Sequence, residues 1–488
     1  MTAELLGAEV LLELPYEANE QQVAVVAALA RFLLEPAVRE RAFILNGYAG
    51  TGKTSIMGAL VRVLKAHKVP MMLLAPTGRA AKVLSNNTGG HRAYTIHRKI
   101  YRHNPEGGAG AWGMPVQADN KLTNAVFIVD EASMIGRADD RGTSLLDDLI
   151  TYVFSQPGNR LILIGDTAQL PPVGADTSPA MNPDVLRSLG LKVSRAILTE
   201  TARQAADSGT LFNATRLRRT MVKIRSLEDG AAPMPIPKLR MEGFRDIDVV
   251  DGEMLPEVLS HAYDSEGGPA DTIVITRSNR RATEYNAAIR ANVLYREEEI
   301  CPGDLLIVSR NHYFGRTIGG VDFIANGDIL SVEKVYGTEV FADIRYADVR
   351  LSLPAPDGSG EGISFDLKII LDTLSSTEPT LAREQWEGLY RHLMSDVGPY
   401  AAYPADRRQF ALRTDPHWTA LHVKYAYAIT CHKAQGGQWS NVFVDLSYIP
   451  EEALGLNLYR WLYTAATRTR LHLHLITPPE VLLEDYII

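Results

Sequence analysis

Five short apolar runs punctuate the first two hundred residues: Ala42–Asn46, Met71–Pro76, Ala125–Asp130, Leu161–Asp166 and Ala196–Glu200. They are continuous rather than alternating, which suits strands covered on both faces, as in a parallel sheet between helices. Helical stretches fit between several of them, such as "KTSIMGALVRVLKAH" after the first and "GRAAKVLS" after the second. Each run ends in polar residues, and open α/β sheets bind their ligands at the carboxyl ends of the strands.

A second set of runs, Asp271–Asn279, Tyr425–Gly436, Asn441–Leu446, Trp461–Arg470 and Leu471–Ile476, predicts another α/β domain, this one without a Gly-rich phosphate loop. Between its first two strands, an insertion from about Glu297 to Ala420 carries short strands with Gly-Asp and Asn-Gly turns and reads as a small β-barrel. "NPEGGAGAWGMPVQADN", Asn104–Asn120, is too rich in Gly and Pro for a core element and reads as an inserted hairpin or loop. The expected division is a first domain over 1–215 with the hairpin at 98–124, a second over 216–296 and 421–488, and the β-rich insertion over 297–420.

Composition narrows the class. With 488 residues, 46% apolar and 22% charged, the chain can fill several cores and is not disordered by default. No apolar run reaches the roughly 18 residues that span a bilayer, and the acidic start "MTAELLGAEVLLELPYEANE" lacks a signal peptide's basic end. Two cysteines far apart, Cys301 and Cys431, suit a reducing cytoplasm. The net charge of −8 argues against coating nucleic acid by bulk charge, but not against a local basic groove. The histidines show no H-E-x-x-H pattern or Cys/His ladder, so no zinc site is expected.

"GYAGTGKTS" fits the phosphate-binding loop, with Gly47, Gly50, Thr51, Gly52, Lys53, Thr54 and Ser55 between a strand and a helix. Its glycines let backbone N–H groups approach ATP phosphates, Lys53 reaches the β- and γ-phosphates, and the Thr54 hydroxyl binds Mg²⁺. "FIVDEAS" adds Asp130 for the Mg²⁺ shell and Glu131 to deprotonate the attacking water. In "GDTAQLPPVG", Gln169 follows a strand of the same sheet, where it can sense the γ-phosphate.

Seven motifs follow the phosphate loop in order: "LLAPTGRAAKVLS", "AYTIH", "DEAS", "GDTAQLPPVG", "LTETARQAADSG", "AITCHKAQGGQ" and "LYTAATRTR". This ordered set resembles the superfamily 1B DNA helicases of the RecD and Dda type, over nearly the whole chain, and the compact C-terminus looks more like the smaller Dda-type enzymes. The resemblance implies two RecA-like domains, an SH3-like barrel in the second, ATP hydrolysis with Mg²⁺, and 5′→3′ movement of a monomer on single-stranded and fork DNA. It implies Gln22 as an adenine reader, Gly437 at the nucleotide, and Arg203 and Arg468 reaching the γ-phosphate across the cleft. It implies DNA contacts from Thr77, Arg79, His97, Asn279, Thr430, His432 and Lys433. Gln22 could equally be an exposed glutamine at a helix start, His97 and His432 buried hydrogen-bonded histidines, and Trp112 either a strand-separating pin or a packing anchor. Cys431, Ala434 and Gln438 depart from the family pattern, which puts one DNA hydrogen bond and the ribose contact in doubt.

Three rivals use the same residues. A nuclease-helicase would draw on the D-x-K spacing at Phe365–Lys368, with Asp343 upstream. A non-enzymatic clamp would not need Lys53, Asp130, Glu131 and Arg468 together. An RNA motor fits the motifs without support from the family.

Overall fold

The computed structural model describes residues 2–36, 40–102, 116–136, 144–200, 207–225, 235–318, 321–354, 362–378, 380–395, 398–412, 414–450, 453 and 455–484. The first sheet contains β1 (Arg41–Gly47), β2 (Met71–Ala75), β3 (Ala93–Thr95), β4 (Val126–Val129), β5 (Arg160–Gly165) and β6 (Lys192–Leu198). All neighbours run parallel, in the order β3-β2-β4-β5-β1-β6. Strand geometry sends alternate side chains to opposite faces. Phe43, Leu45, Ile162 and Ile164 pack under α1 (Glu20–Leu34) and α2 (Lys53–Ala66). Ala42, Ile44, Leu161 and Leu163 form the other layer, with Leu146 and Leu149 of the helix Leu145–Phe154. Each of these Leu and Ile side chains contributes roughly 1.5–3 kcal/mol by leaving water. Covering on both faces is why the runs are apolar throughout.

The next long helix, α3 (Gly209–Arg225), inserts Ala214, Leu217 and Met221 into the second core, so this core gathers chain from before the expected edge at 215. The chain then lays down β7 (Ile247–Val250) and β8 (Thr272–Thr276), followed by α4 (Asn279–Asn292). It departs into a closed barrel of β9 (Leu305–Val308), β10 (Ile329–Phe341), β11 (Ile344–Leu353), β12 (Ile363–Ile370) and β13 (Leu421–Tyr425). It returns with β14 (Ala428–Thr430), β15 (Trp439–Asp445), α5 (Leu456–Ala466) and β16 (Thr469–Ile476). The second sheet is again parallel, ordered β14-β8-β15-β16-β7. The architecture is two RecA-like domains with a barrel inserted in the second.

The barrel closes five residues beyond the expected edge at 420. Only Ala426 and Tyr427 separate β13 from β14, with no Gly or Pro to mark the change of sheet. At the barrel's entrance the buried Asp304 carboxylate is held by Arg290 (3.0 Å), Arg296 and the Tyr427 hydroxyl (2.9 Å). Three partners satisfy a charge whose burial alone would be costly. The D-x-K segment is a strand of this barrel. Lys368 is tied to Glu339 and to Asp348 (2.9 Å), and Asp366 accepts from the Tyr336 hydroxyl (2.8 Å).

Tyr101–Arg102 pairs antiparallel with Val116–Gln117, giving the base of the expected hairpin; Trp112 lies outside the described residues. Among the described residues no helix is long and apolar enough to cross a membrane.

Candidate nucleotide and nucleic-acid sites

Strand β1 delivers the chain into the phosphate loop, and α2 begins at Lys53. Gly50 and Gly52 have φ of 72° and 86°, left-handed values that favour glycine. A Cβ on Gly52 would stand 2.5 Å from the Tyr16 hydroxyl. The N-cap of α2 is Gly52, which supplies no side-chain acceptor, so the first-turn N–H groups stay open to an anion. Thr54 is exposed at this end and Ser55 half-buried. Lys53 curls back onto the loop, donating to the carbonyls of Tyr48 (2.9 Å) and Gly47.

Gln22 lies against this loop but its amide is committed. Oε1 accepts from Asn19 N–H (3.1 Å), closing a capping box, and Nε2 donates to the Thr51 carbonyl (3.1 Å). The side chain is 2% exposed, so the reading as a surface glutamine fails. Reading adenine would cost these bonds. The sequence signal was present in the Asn19-x-x-Gln22 spacing.

Asp130 follows β4, and its Oδ1 accepts from Glu131 N–H (2.9 Å). Burial, then the charge of Glu131, pushes the Asp130 carboxyl up to about 6, against the pull of Lys53. Glu131 is a non-glycine residue at φ 51°, a conformation held only where the surroundings fix it. Asp166 follows β5 and is buried; Oδ1 accepts from Ala168 N–H (2.9 Å). Gln169, three residues on, is also buried, and its Oε1 has no partner among the described residues. A buried acceptor left unpaired in a loop at the strand ends points to a ligand.

The second domain meets this loop directly. Tyr463, on α5, donates to Asp166 Oδ2 (2.6 Å) and accepts from Ala49 N–H of the phosphate loop (2.9 Å). Leu170 N–H donates to Thr464 Oγ1 (2.8 Å), while the Leu170 carbonyl accepts from Gln435 Nε2 (2.9 Å). Tyr463 and Thr464 were not singled out in the sequence, although both fall within "LYTAATRTR". Arg468, one turn further, is buried and bonds to the carbonyls of Thr464 (3.1 Å) and Gly437 (3.4 Å). Among the described residues it has no carboxylate partner. Arg203 lies outside the described residues.

Sheet order separates two sets of candidates. Lys53, Asp130 and Asp166 follow the adjacent strands β1, β4 and β5, whereas Thr77 and His97 follow β2 and β3 at one edge. In the second sheet Asn279 lies just beyond β8 and Thr430 ends β14, the edge pair, and with Lys433 they line one small pocket. His432 and His97 are exposed, which excludes a buried core role for either. Thr77 caps the helix Gly78–Asn87, accepting from Ala80 N–H (3.2 Å). Arg79 differs from expectation: its guanidinium lies 3.8 Å over the Trp439 ring, at the junction of the domains. Gly437 belongs to that junction too, because a Cβ there would meet Arg79 Nε and Trp439 Cη2 at 2.6 Å.

Residues 17–228 match the family described as "AAA domain", and residues 425–476 match "UvrD-like helicase C-terminal domain". The ATP-dependent RecD2 DNA helicase of Deinococcus radiodurans is 34% identical over 93% of this chain and 48% of its own length. These matches make the chain similar to the RecD/Pif1-type helicases of superfamily 1B. An ATP-dependent DNA helicase Pif1 from a Psychrobacter species is 23% identical over 83% of this chain and 61% of its own. The chain spans about half the length of the RecD2 relative. A solved structure, "Structural Basis for DNA Unwinding at Forked dsDNA by two coordinating Pif1 helicases", aligns over 96% of this chain and 95% of its own, at 14% identity and a TM-score of 0.48. Of the three departures from the family pattern, Cys431 and Ala434 are buried and Gln438 is exposed.

Proposed function

We propose that the chain is an ATP-dependent DNA helicase that moves 5′→3′ along single-stranded DNA and works as a cytoplasmic monomer at duplex forks. One observation carries the reading: the loop after β5 holds Gln169 beside the phosphate-loop sheet and is gripped at Leu170 by Thr464 and Gln435 of the other domain. A change at the nucleotide therefore has a direct covalent and hydrogen-bonded route into the second domain.

The open N–H groups of α2 and Lys53 bind the phosphates, Lys53 exchanging its loop carbonyls for them. Thr54 and Asp130 offer the all-oxygen set that suits Mg²⁺, and the burial that raises Asp130 is a strain a cation would relieve. When bound, Mg²⁺ would neutralise phosphate charge. Glu131 takes the proton of the attacking water, and the unpaired Gln169 Oε1 accepts from that water to orient it. Arg468 and Arg203 stabilise charge on the transferring phosphoryl group. Thr77 and His97 on one domain, with Asn279, Thr430, His432 and Lys433 on the other, hold the DNA backbone without reading its sequence.

Unwinding of duplexes carrying either a 5′ or a 3′ tail tests activity and polarity together. Unwinding of the 5′-tailed substrate alone is the expected result; ATP hydrolysis indifferent to DNA at low salt would remove the motor reading.

A further inference from the structure

The strand β16 carries "LHLHL", which places His472 and His474 on one face and Leu473 and Leu475 in the core. The edge strand β7 pairs with it so that Asp248 stands directly opposite His474. Asp248 Oδ1 lies 2.7 Å from His474 Nδ1, and Oδ2 lies 3.1 Å from His472 Nε2. One ligand atom from each of the three residues falls within 4.8 Å of the others, the only such cluster among the described residues. The register joins residues more than two hundred positions apart, so the sequence pattern alone does not reveal the cluster.

We propose that Asp248, His472 and His474 form a site for a divalent transition metal of the zinc class. Two imidazoles and one carboxylate are the donors that such ions take, and four-coordinate zinc with bonds of about 2.0–2.1 Å needs donor atoms roughly 3.3 Å apart. The ligand atoms already lie within 4.8 Å of one another, and the two stacked rings, 25° apart in plane, turn to aim their nitrogens at one ion. The imidazoles are set by stacking: His474 lies 4.2 Å from Phe443 and His472 lies 4.3 Å from His474, ring centre to ring centre. His474 is 9% exposed in its side chain, whereas His472 and Asp248 are 30% and 47% exposed, leaving an entry path and room for a water ligand.

Binding exchanges two N–H···O hydrogen bonds for three metal bonds. Each imidazole presents a lone pair where it held a proton, and the proton moves to its other nitrogen or is released to solvent. Asp248 has no Lys or Arg ion-pair partner among the described residues, so the metal meets no competing cation. The ion would staple the outermost strand of the second sheet to its neighbour. That strand follows Asp246, which caps α3 by accepting from Ser208 Oγ (2.6 Å) and Gly209 N–H (2.7 Å). The site is therefore structural, and its loss leaves the nucleotide residues in place.

The test is titration of the chelator-stripped full chain with zinc chloride by calorimetry, with cobalt(II) absorbance as a second readout. One zinc per chain is expected, with a visible cobalt band of four-coordinate type and a melting temperature that rises with zinc. Asp248→Asn and His472→Gln should each weaken uptake at least about tenfold. His261→Ala, on an exposed histidine of the helix Leu255–Tyr263, should leave it unchanged. His472→Gln alters a partly exposed ring and serves if Asp248→Asn disturbs the edge strand, with circular dichroism as the check. No stoichiometric uptake, or uptake equal in both variants and parent, overturns the site and leaves a hydrogen-bonded His-Asp-His cluster without metal.

Discussion

Tyr463 reaches from the second domain to Asp166 of the first, hydroxyl to carboxylate at 2.6 Å, and the same hydroxyl receives the Ala49 N–H at 2.9 Å. One oxygen thus joins the phosphate loop, the loop after β5 and the helix that leads into Arg468. Tyr463→Phe keeps the ring and removes the junction, leaving a buried carboxylate oxygen and an amide to find other partners, at about 1–3 kcal/mol each. DNA-stimulated ATP hydrolysis is expected to fall more than basal hydrolysis, with a lower melting temperature. Equal losses in both rates would show that the hydroxyl serves stability alone.

Arg468 is buried without a carboxylate among the described residues, a state in which a cation awaits an anionic partner. Arg468→Ala is expected to retain nucleotide binding and lose turnover by roughly 10³–10⁵. Fluorescent-nucleotide titration and single-turnover hydrolysis separate the two effects. Near-parent hydrolysis would remove Arg468 from the reaction.

Gln169 combines burial with an oxygen unpaired among the described residues, so Gln169→Ala removes an acceptor without breaking a bond to any of them. Unwinding is expected to slow by at least about tenfold while ATP affinity stays within about threefold. The comparison is a stopped-flow unwinding assay against equilibrium nucleotide binding; parallel losses would place Gln169 in simple binding.

Asp130 sets a pH limit. Burial, then Glu131, raises its carboxyl to about 6, so below that pH the free protein holds it protonated and unfit for a cation. Affinity for ATP with Mg²⁺ is expected to weaken by about tenfold per pH unit below 6 and to level off above 7. The folding effect has the opposite sense. A carboxyl raised above its unfolded value binds a proton more tightly in the native state, so its contribution is largest below pH 3.8 and declines as pH rises through 6. Binding profiles from pH 5 to 8 that remain flat would contradict this assignment.

Much of the fold was legible because buried parallel strands must be apolar on both faces, and four of the six strands of the first sheet announce themselves in that way, whereas the edge strand β6 is exposed or half-buried before Leu198 and shows only its apolar end. β3 does not: three residues are too few to show a period. The barrel's last strand was hidden by the two-residue link at Ala426 and Tyr427, which carries no turn chemistry. Within the site, the phosphate loop and Asp130 were legible from spacing, since backbone geometry demands glycine and charge at fixed offsets. The Arg79 stack on Trp439 was not, because 360 positions separate residues that only tertiary packing brings together. Tyr463 was obscure for a related reason: a hydroxyl within an apolar helix shows its purpose only once its acceptor on the other domain is known.

Gly436 and Gly437 meet the start of the helix Gly78–Asn87 across the domain boundary, close to Thr77, Ala80 and Arg79, with no side chains of their own. Protruding groups on both surfaces would mesh like gear teeth and fix a single angle between the domains. Two bare glycines facing a helix end form instead a smooth bearing. Relative motion of the two halves can then be a glide across this contact, guided by the flat stack of Arg79 on Trp439 and limited by the tether at Leu170.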